Sequence, residues 1–481
     1  MARIAVVGGG IGGLTTALGL ARAGHPVTVV ERDDLPLHAD PAEAFAATRR
    51  GIPQLQQTHG FLARIVLTLR EHFPDVLDEI LAAGSQVLPM AERLADHRDD
   101  DDELITLVTR RTTVDWALRR AVQAEHGIEL RTGAGVESLI AQPGAHGAPH
   151  VTGIRLDDGT SLEVGAVVAA TGKRGPVPQW LAELGADVPE RTHQSGLMYL
   201  TRWYRNPNGV QLGRDVRIAG DHDFVKYLAI PADGDTFSIT LAVHVDDAEI
   251  RGLLSDPERF HAAAAMMEGP AWFLGQDGAV PASDVLPMGG LINRLRSFLD
   301  PEGRPLVTGF HALGDAHTCT NPLYGRGCSL AVVQAVALTQ AFVAHPHDAE
   351  ARAVAYEGAC ERDVTPWFEL SVQADAMGAD PGGKAIRETG HHRTGTPADD
   401  AHHALAKVMS AAEREPAIGR GFMRVMNLLA TPSDLMADPV FLERAMTVLA
   451  NPDDYPEPAP PAGPTRTDLL ESLAPPSPLS A

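Results

Sequence analysis

The sequence predicts an α/β fold: a Rossmann-type domain interrupted by an inserted β-sheet domain and followed by a C-terminal helical region. Three observations carry this prediction. Residues 3 to 31 read as strand, glycine-rich turn, helix, strand and terminal acid. Residues 196 to 245 alternate apolar and polar side chains and are rich in aromatics, as in MYLTRWYR and FVKYLAI. Near Pro305 a second Rossmann-like run begins, with LVTGF, a Gly-Asp pair and a long Ala/Val stretch after Ser329.

The first strand is RIAVV, residues 3 to 7, and GGGIGG follows at once. Gly8, Gly10 and Gly13 form G-x-G-x-x-G between strand and helix. The first glycine permits the tight turn, the second lets backbone approach a pyrophosphate, and the third lets helix and strand pack closely. The helix, about 12 to 23, starts with free N–H groups and a positive dipole end. The second strand, 26 to 30, leads to Glu31, 18 residues after Gly13. A carboxylate there can accept both hydroxyls of an adenosine ribose. A glycine motif alone is weak, but a purely structural glycine turn would not require Glu31. The agreement of all four parts predicts dinucleotide binding.

A polar stretch runs to about Gln57, then an amphipathic helix near 61 to 73. The acidic run 99 to 103 reads as a solvated loop. A helix near 113 to 125 precedes a strand-rich stretch to Ala170, with a turn at Asp157, Asp158 and Gly159. After the inserted sheet and the second Rossmann-like run, the chain turns helical beyond about His345. It ends in a proline-rich tail with a short helix at 467 to 473. The expected division is 1–190 and 291–345 for the nucleotide domain, 191–290 for the sheet, 346–455 helical, and 456–481 tail.

Composition narrows the function classes. The 481 residues are enough for two or three domains. The formal charge of −23, from 63 acidic and 40 basic side chains, argues against a nucleic-acid partner or an anionic membrane surface. Three cysteines without a C-x-x-C pair (Cys319, Cys328, Cys360) suit a reducing compartment and read as packing residues. No run approaches about 18 uninterrupted apolar residues, and the chain enters a strand directly after Met-Ala-Arg. The expectation is a cytoplasmic protein without a membrane span. His391 and His392, then His402 and His403, lack the spacing of a metal site, and no metal is expected.

The choice of dinucleotide rests on GFHALGDAHTCTNPLYGRGCSLAVVQAVAL, residues 309 to 338. A Gly-Asp pair after a strand, Gly314 and Asp315, can present a carboxylate to the ribityl chain of a flavin. Pro322, Gly325 and Gly327 let backbone approach the pyrimidine edge of the ring. The helix that follows aims its N-terminus where negative charge appears on reduction. FAD is therefore expected.

With these residues in view, the chain resembles the class A (group A) FAD-dependent monooxygenases, which share the aromatic hydroxylase fold and its GR2-like FAD-binding domain. It is similar in particular to the branch of squalene epoxidase and the bacterial polyether epoxidases. The resemblance runs through GGGIGGL at 8–14, RRGIPQ at 49–54 with His59, and RRTTVDWALR at 110–119. It continues through AATGKRGPVPQWLAELG at 169–185, MYLTRWYR at 198–205, GDAHTCTNPLYGRG at 314–327 and FMRVMNLLATPSDL at 422–435. It implies that Gly8, Gly10, Gly13, Glu31 and Arg32 hold the ADP half, and that Arg111 meets the pyrophosphate or ribityl region. It also implies that Asp315 binds the ribityl chain, beside Gly314, and that Pro322, Gly325 and Gly327 line the isoalloxazine. Arg50 is the cation expected at the phosphates, with the Arg49/Arg50 pair leaving the register open. Many aromatic hydroxylases carry an Asp-Gly pair where this chain has Ala169-Ala170-Thr171-Gly172. NADPH or NADH as electron donor, directly or through a separate flavin reductase, is left open.

The implied activity is insertion of one oxygen atom, by epoxidation or hydroxylation, into a hydrophobic or aromatic small molecule through a flavin C4a-hydroperoxide, with molecular oxygen as co-substrate. Electrophilic transfer to an alkene needs no acid or base, whereas phenol hydroxylation benefits from one. The weak catalytic candidates are His317, Tyr324 and Tyr204, with Tyr199 beside them. Buried residues of these types more often only satisfy hydrogen bonds. Met198, Trp203, Tyr204, Phe224 and Tyr227 could line a substrate cavity, with core packing as the equal alternative. A flavin-dependent halogenase would carry a W-x-W-x-I-P segment, which the five tryptophans do not form. A geranylgeranyl-reductase-like enzyme and a non-catalytic flavin-binding protein are the remaining alternatives.

Overall fold

The computed structural model describes residues 3–49, 51–52, 54–94, 96, 98–213, 215–379, 404–405, 407–456 and 461–474. Its centre is a five-stranded parallel sheet in the order Phe310–Ala312, Ala166–Ala169, Ile4–Val7, Val27–Glu31, Ile128–Thr132. The β-branched runs IAVV, VTVVE and AVVA are buried throughout, as central parallel strands must be. The first strand sits in the middle, so the chain reverses direction across the sheet at its C-terminal end. Crevices at such switch points are where open α/β sheets bind ligands.

Four helices pack about this point. Ile11–Arg22 leaves the glycine turn, and Arg326–Ala344 lies against it and against Ala63–His72 and Ala349–Asp363. Among the described residues, Arg326–Ala344 is the one helix long and apolar enough by composition to cross a bilayer. Here that surface packs inside the fold, where Ala335, Leu338, Ala341 and Phe342 are buried.

The alternating stretch forms a six-stranded antiparallel sheet. Its long members are Leu197–Arg205, Val225–Ala232 and Thr236–His244. Helices Ala248–Leu254, Pro257–Ala265 and Glu268–Leu274 cover one face. The other face meets the 56–58 loop of the nucleotide domain. There Trp203 donates to Gln56 O at 2.7 Å, Thr201 to Gln57 Oε1 at 2.7 Å, and Thr58 to Ser238 at 2.8 Å.

Several expectations change on folding. LVTGF does not pair along its length; only Phe310–Ala312 joins the sheet. Gly309 takes φ +71°, and Thr308 bonds instead to Val151 and Pro149. The long helix begins at Arg326, directly after left-handed Gly325, three residues before the expected start. The acidic run is not a solvated loop throughout. Asp101 is fully buried and takes a bidentate pair from Arg420, at 2.6 and 2.8 Å. The terminal helix, Arg466–Leu473, packs Leu469 and Leu473 into the core of the inserted sheet.

Candidate functional site

Three loops leave the C-terminal ends of adjacent parallel strands: the Gly8 turn, Ala170-Thr171-Gly172, and Gly314-Asp315. Gly8 has φ +114°, and a Cβ there would stand 2.3 Å from Ala170 O. A Cβ on Gly13 would meet Gly8 O at 1.9 Å, so the third glycine lets the helix close on the turn. At Gly10 the nearest atom to such a Cβ is Ile52 Cδ1 at 3.7 Å. That open approach is what a pyrophosphate needs. Buried Glu31 accepts from Gly9 N at 2.7 Å, Asp33 N at 2.9 Å and Arg49 Nη2 at 3.0 Å.

The cation beside this turn is Arg49, one of the Arg49/Arg50 pair whose register the sequence leaves open; Arg50 lies outside the described residues. Arg49 is buried, bonds Gly9 O at 3.2 Å, and stands 3.8 Å from Asp115. Arg111, the first residue of helix Arg111–Ala124, is buried rather than a surface charge and lies 3.9 Å from Asp115. Arg119, one side of the same helix further on, completes the group, and burial lowers its pKa. The spacings of 3.8 to 3.9 Å are too long for hydrogen bonds. Arg49 Nε, Arg111 Nε, Arg119 Nε, Thr112 Oγ1 and both Asp115 oxygens consequently have no hydrogen-bond partner within the protein. Orphans of both polarities suit a ligand that offers acceptors and donors together, as phosphates and ribose hydroxyls do. The residues therefore fit the ADP half of FAD. Arg32, by contrast, is exposed beside Gly51.

Gly314 has φ +60°, and Asp315 follows it in a short turn packed on the Arg326–Ala344 helix. Loss of water raises the Asp315 carboxyl above its ordinary range, against the pull of Arg111, Lys173 and Arg294. Asn321 caps the Pro322–Tyr324 turn by accepting from Leu323 N. Pro322 is exposed, Gly325 has φ +65°, and a Cβ on Gly325 would approach Gly60 O to 3.1 Å. The 57–60 loop thus faces the start of the long helix. His59 in that loop contacts Gln57 O at 2.9 Å and Arg111 Nη1 at 3.4 Å. Burial, and then Arg111, lower its pKa to about 3, so the ring is neutral and can accept from Arg111.

The catalytic candidates separate. His317 directly follows the Gly314–Ala316 turn and packs toward helix Ala349–Asp363. It stacks on Phe298 and contacts Glu357 at 3.2 Å, a structural position away from the loops that would hold a flavin. Tyr204 also faces away. Strand alternation places Tyr199, Thr201 and Trp203 toward the nucleotide domain and Met198, Leu200 and Tyr204 toward the covering helices. Phe224 and Tyr227 join that helix-covered core, so four of the five residues considered for a cavity wall are packing residues. Trp203 faces the other way but is spent on Gln56 and Phe45. Tyr324 stays at the site, donating to Asp375 at 3.0 Å. The apolar side chains beside the Pro322 turn are instead Tyr199, Ala242 and Leu291, with Met288 and Leu323. Their spread over four chain segments hid them from any sequence window.

Residues 3–104 match the family FAD dependent oxidoreductase. The cradle, its acid and this match agree on FAD. Among individual proteins, the chain is 33% identical over 203 residues to aklavinone 12-hydroxylase DnrF of Streptomyces peucetius subsp. caesius, over 37% of each chain. The chain thus aligns with little more than a third of that relative. It resembles the solved structure of PqsL, a probable FAD-dependent monooxygenase from Pseudomonas aeruginosa (TM-score 0.56, 20% identity, 79% of this chain and 96% of that one). It also resembles p-nitrophenol 4-monooxygenase PnpA from Pseudomonas putida DLL-E4 (TM-score 0.59, 18% identity, 90% and 100%). At such identities the structural likeness establishes the fold. The two histidine pairs considered for metal, His391 with His392 and His402 with His403, lie outside the described residues. Among the described residues, no cluster of three or more His, Cys, Asp or Glu could hold an ion.

Proposed function

We propose that this protein is an FAD-dependent monooxygenase that inserts one atom of molecular oxygen into a hydrophobic or aromatic small molecule, by hydroxylation or epoxidation. The observation that carries the reading is the convergence of the glycine cradle and the Gly314-Asp315 turn beneath an inserted sheet. The named hydroxylase relative favours hydroxylation. Bound FAD would supply the two-electron chemistry and the activation of oxygen.

The chain's own residues then have separable tasks. Gly8, Gly10, Gly13 and Glu31 hold the ADP half, with Arg49 and Arg111 at the pyrophosphate. Asp315 orients the ribityl chain. Pro322, Gly325 and Gly327 line the ring, where the N-terminus of Arg326–Ala344 favours negative charge. Tyr199, Leu323 and Met288 form an apolar wall that excludes water and accepts an apolar substrate. Burial raises the phenol pKa of both Tyr199 and Tyr324, so each keeps its proton and neither serves as a base near neutrality. That suits electrophilic transfer, which requires none. NADPH or NADH supplies the electrons, directly or through a flavin reductase. The same reading retains 1–190 and 291–345 as the FAD-binding domain and 191–290 as the substrate-facing sheet.

The test is to reduce the purified protein without oxygen, mix it rapidly with oxygenated buffer, and follow the flavin spectrum with and without apolar aromatic compounds. A transient spectrum distinct from reduced and oxidised flavin is expected. Single-step reoxidation under every condition would replace this reading with that of a reductase.

A further inference from the structure

Arg326 lies between Gly325 and Gly327, the two glycines proposed to line the flavin. Its side chain is buried, packed on the Tyr324 ring at 4.6 Å and near Trp367 at 5.9 Å. Its Nη1 donates to Trp367 O and Ser371 Oγ, both neutral, and its Nε has no partner. A buried guanidinium bonded only to neutral groups costs free energy, and its field is poorly screened. Burial lowers its pKa to about 10, which leaves it charged at neutral pH.

Asp375, from helix Thr365–Ala379, reaches the same turn, where its charge and that of Arg326 act on each other. It accepts from Asn321 Nδ2 at 2.8 Å, Tyr324 OH at 3.0 Å and Asn293 Nδ2 at 2.7 Å. Burial raises its carboxyl pKa above the ordinary range, while these three donors and the nearby Arg326 pull it back toward the carboxylate. The turn that would face the flavin ring is therefore met by one buried cation and one buried anion, both anchored on the same C-terminal helix.

We infer that Arg326 and Asp375 tune the reduction potential of the bound flavin in opposite directions, Arg326 raising it and Asp375 lowering it. The inference rests on the FAD site proposed above. Reduction places negative charge on the ring, so a nearby cation favours the reduced form and a nearby anion opposes it. Both are positioning residues: neither needs to touch substrate.

The experiment is a dye-equilibrated reductive titration of the full-length holoprotein and of Arg326→Gln, Arg326→Lys and Asp375→Asn. Arg326→Gln is expected to lower the midpoint potential by at least about 30 mV, equivalent to a tenfold change in the ratio of affinities for reduced and oxidised FAD. Asp375→Asn is expected to raise it, and Arg326→Lys to stay near wild type. Loss of a merely structural contact would not move the two charge-neutralising variants in opposite directions. Shifts of the same sign, or no shift in variants that retain FAD, overturn the inference. If Arg326→Gln purifies without flavin, the sign of the Asp375→Asn shift decides. Wild-type protein that takes up no FAD would instead remove the FAD reading itself.

Discussion

Arg110 and Asp233, 123 residues apart, form a buried ion pair that joins the nucleotide domain to the inserted sheet. Asp233 accepts from Arg110 N at 2.6 Å, Nε at 3.1 Å and Nη2 at 2.7 Å, and from Thr113 Oγ1 at 2.7 Å. Its carboxylate therefore lies beside the start of the Arg111–Ala124 helix, at the positive end of the helix dipole. Removing one partner leaves the other charge buried and uncompensated. Asp233→Ala is expected to cost about 3–5 kcal/mol, the usual penalty for breaking a buried pair. Urea unfolding of wild type and variant measures it, and an unchanged midpoint would show that the pair does not couple the two parts.

The glycines of the turn should respond differently to the same substitution. Gly13→Ala places a methyl 1.9 Å from Gly8 O and should lower both the melting temperature and FAD content. Gly10→Ala meets nothing closer than 3.7 Å and should leave melting of the flavin-free protein nearly unchanged. It should weaken FAD at least about tenfold, since the methyl occupies the pyrophosphate's approach. Fluorescence titration with FAD checks this. Equal FAD affinity for Gly10→Ala and wild type would contradict the assigned cradle.

His59 predicts the acid side of the stability profile. Its folded pKa, about 3, lies below the ordinary histidine value, so the unfolded chain binds a proton that the folded chain refuses. Its contribution is intact above about pH 6.5 and is lost as pH falls toward about 3. The loss at pH 5 is on the order of 2 kcal/mol. His59→Gln should make stability fall less steeply between pH 7 and 5, as read by denaturant midpoints. An unaltered slope would mean that the ring is hydrated in the folded protein.

His317 has the opposite sign. Burial disfavours its charge, but Cys360 and Glu357 outweigh that, and its pKa is pushed up to about 10. A raised folded pKa gives stability that is complete below about 6.5 and disappears as pH rises through about 10. Glu357→Gln should therefore be most destabilising at pH 6 and approach wild type by pH 10. A penalty independent of pH would assign Glu357 a role other than holding the imidazolium.

Much of the backbone on which the FAD reading rests was legible in the sequence because its signals are local. Gly8, Gly10, Gly13 and Glu31 lie within one strand–helix–strand unit, and Asp315, Pro322 and Gly325 within one short segment of two turns. Their roles depend on backbone conformation, which short motifs report. The sequence could not choose between Arg49 and Arg50, because both stand in the same RRGIPQ segment. Nor could it find Asp375: nothing near it marks a residue that reaches Asn321 and Tyr324 from another helix. The aromatic run MYLTRWYR correctly announced a strand. It could not choose between cavity wall and core for its residues, because period-2 alternation divides them between two faces, and sequence does not say which face meets the nucleotide domain.

By itself, then, the sequence determined the βαβ unit, the Gly-Asp turn, the position of the inserted sheet and the expectation of FAD. All follow from hydrophobic periodicity and glycine conformations set within a few residues. Only the tertiary structure decided that Tyr204 packs under helices while Tyr199 faces the site, that Asp101 is buried against Arg420, and that the terminal helix completes the sheet's core. It alone brought Arg326 and Asp375 to the same turn. These outcomes depend on which surfaces meet across long stretches of chain, and burial, ion pairing and access to water arise only when they do.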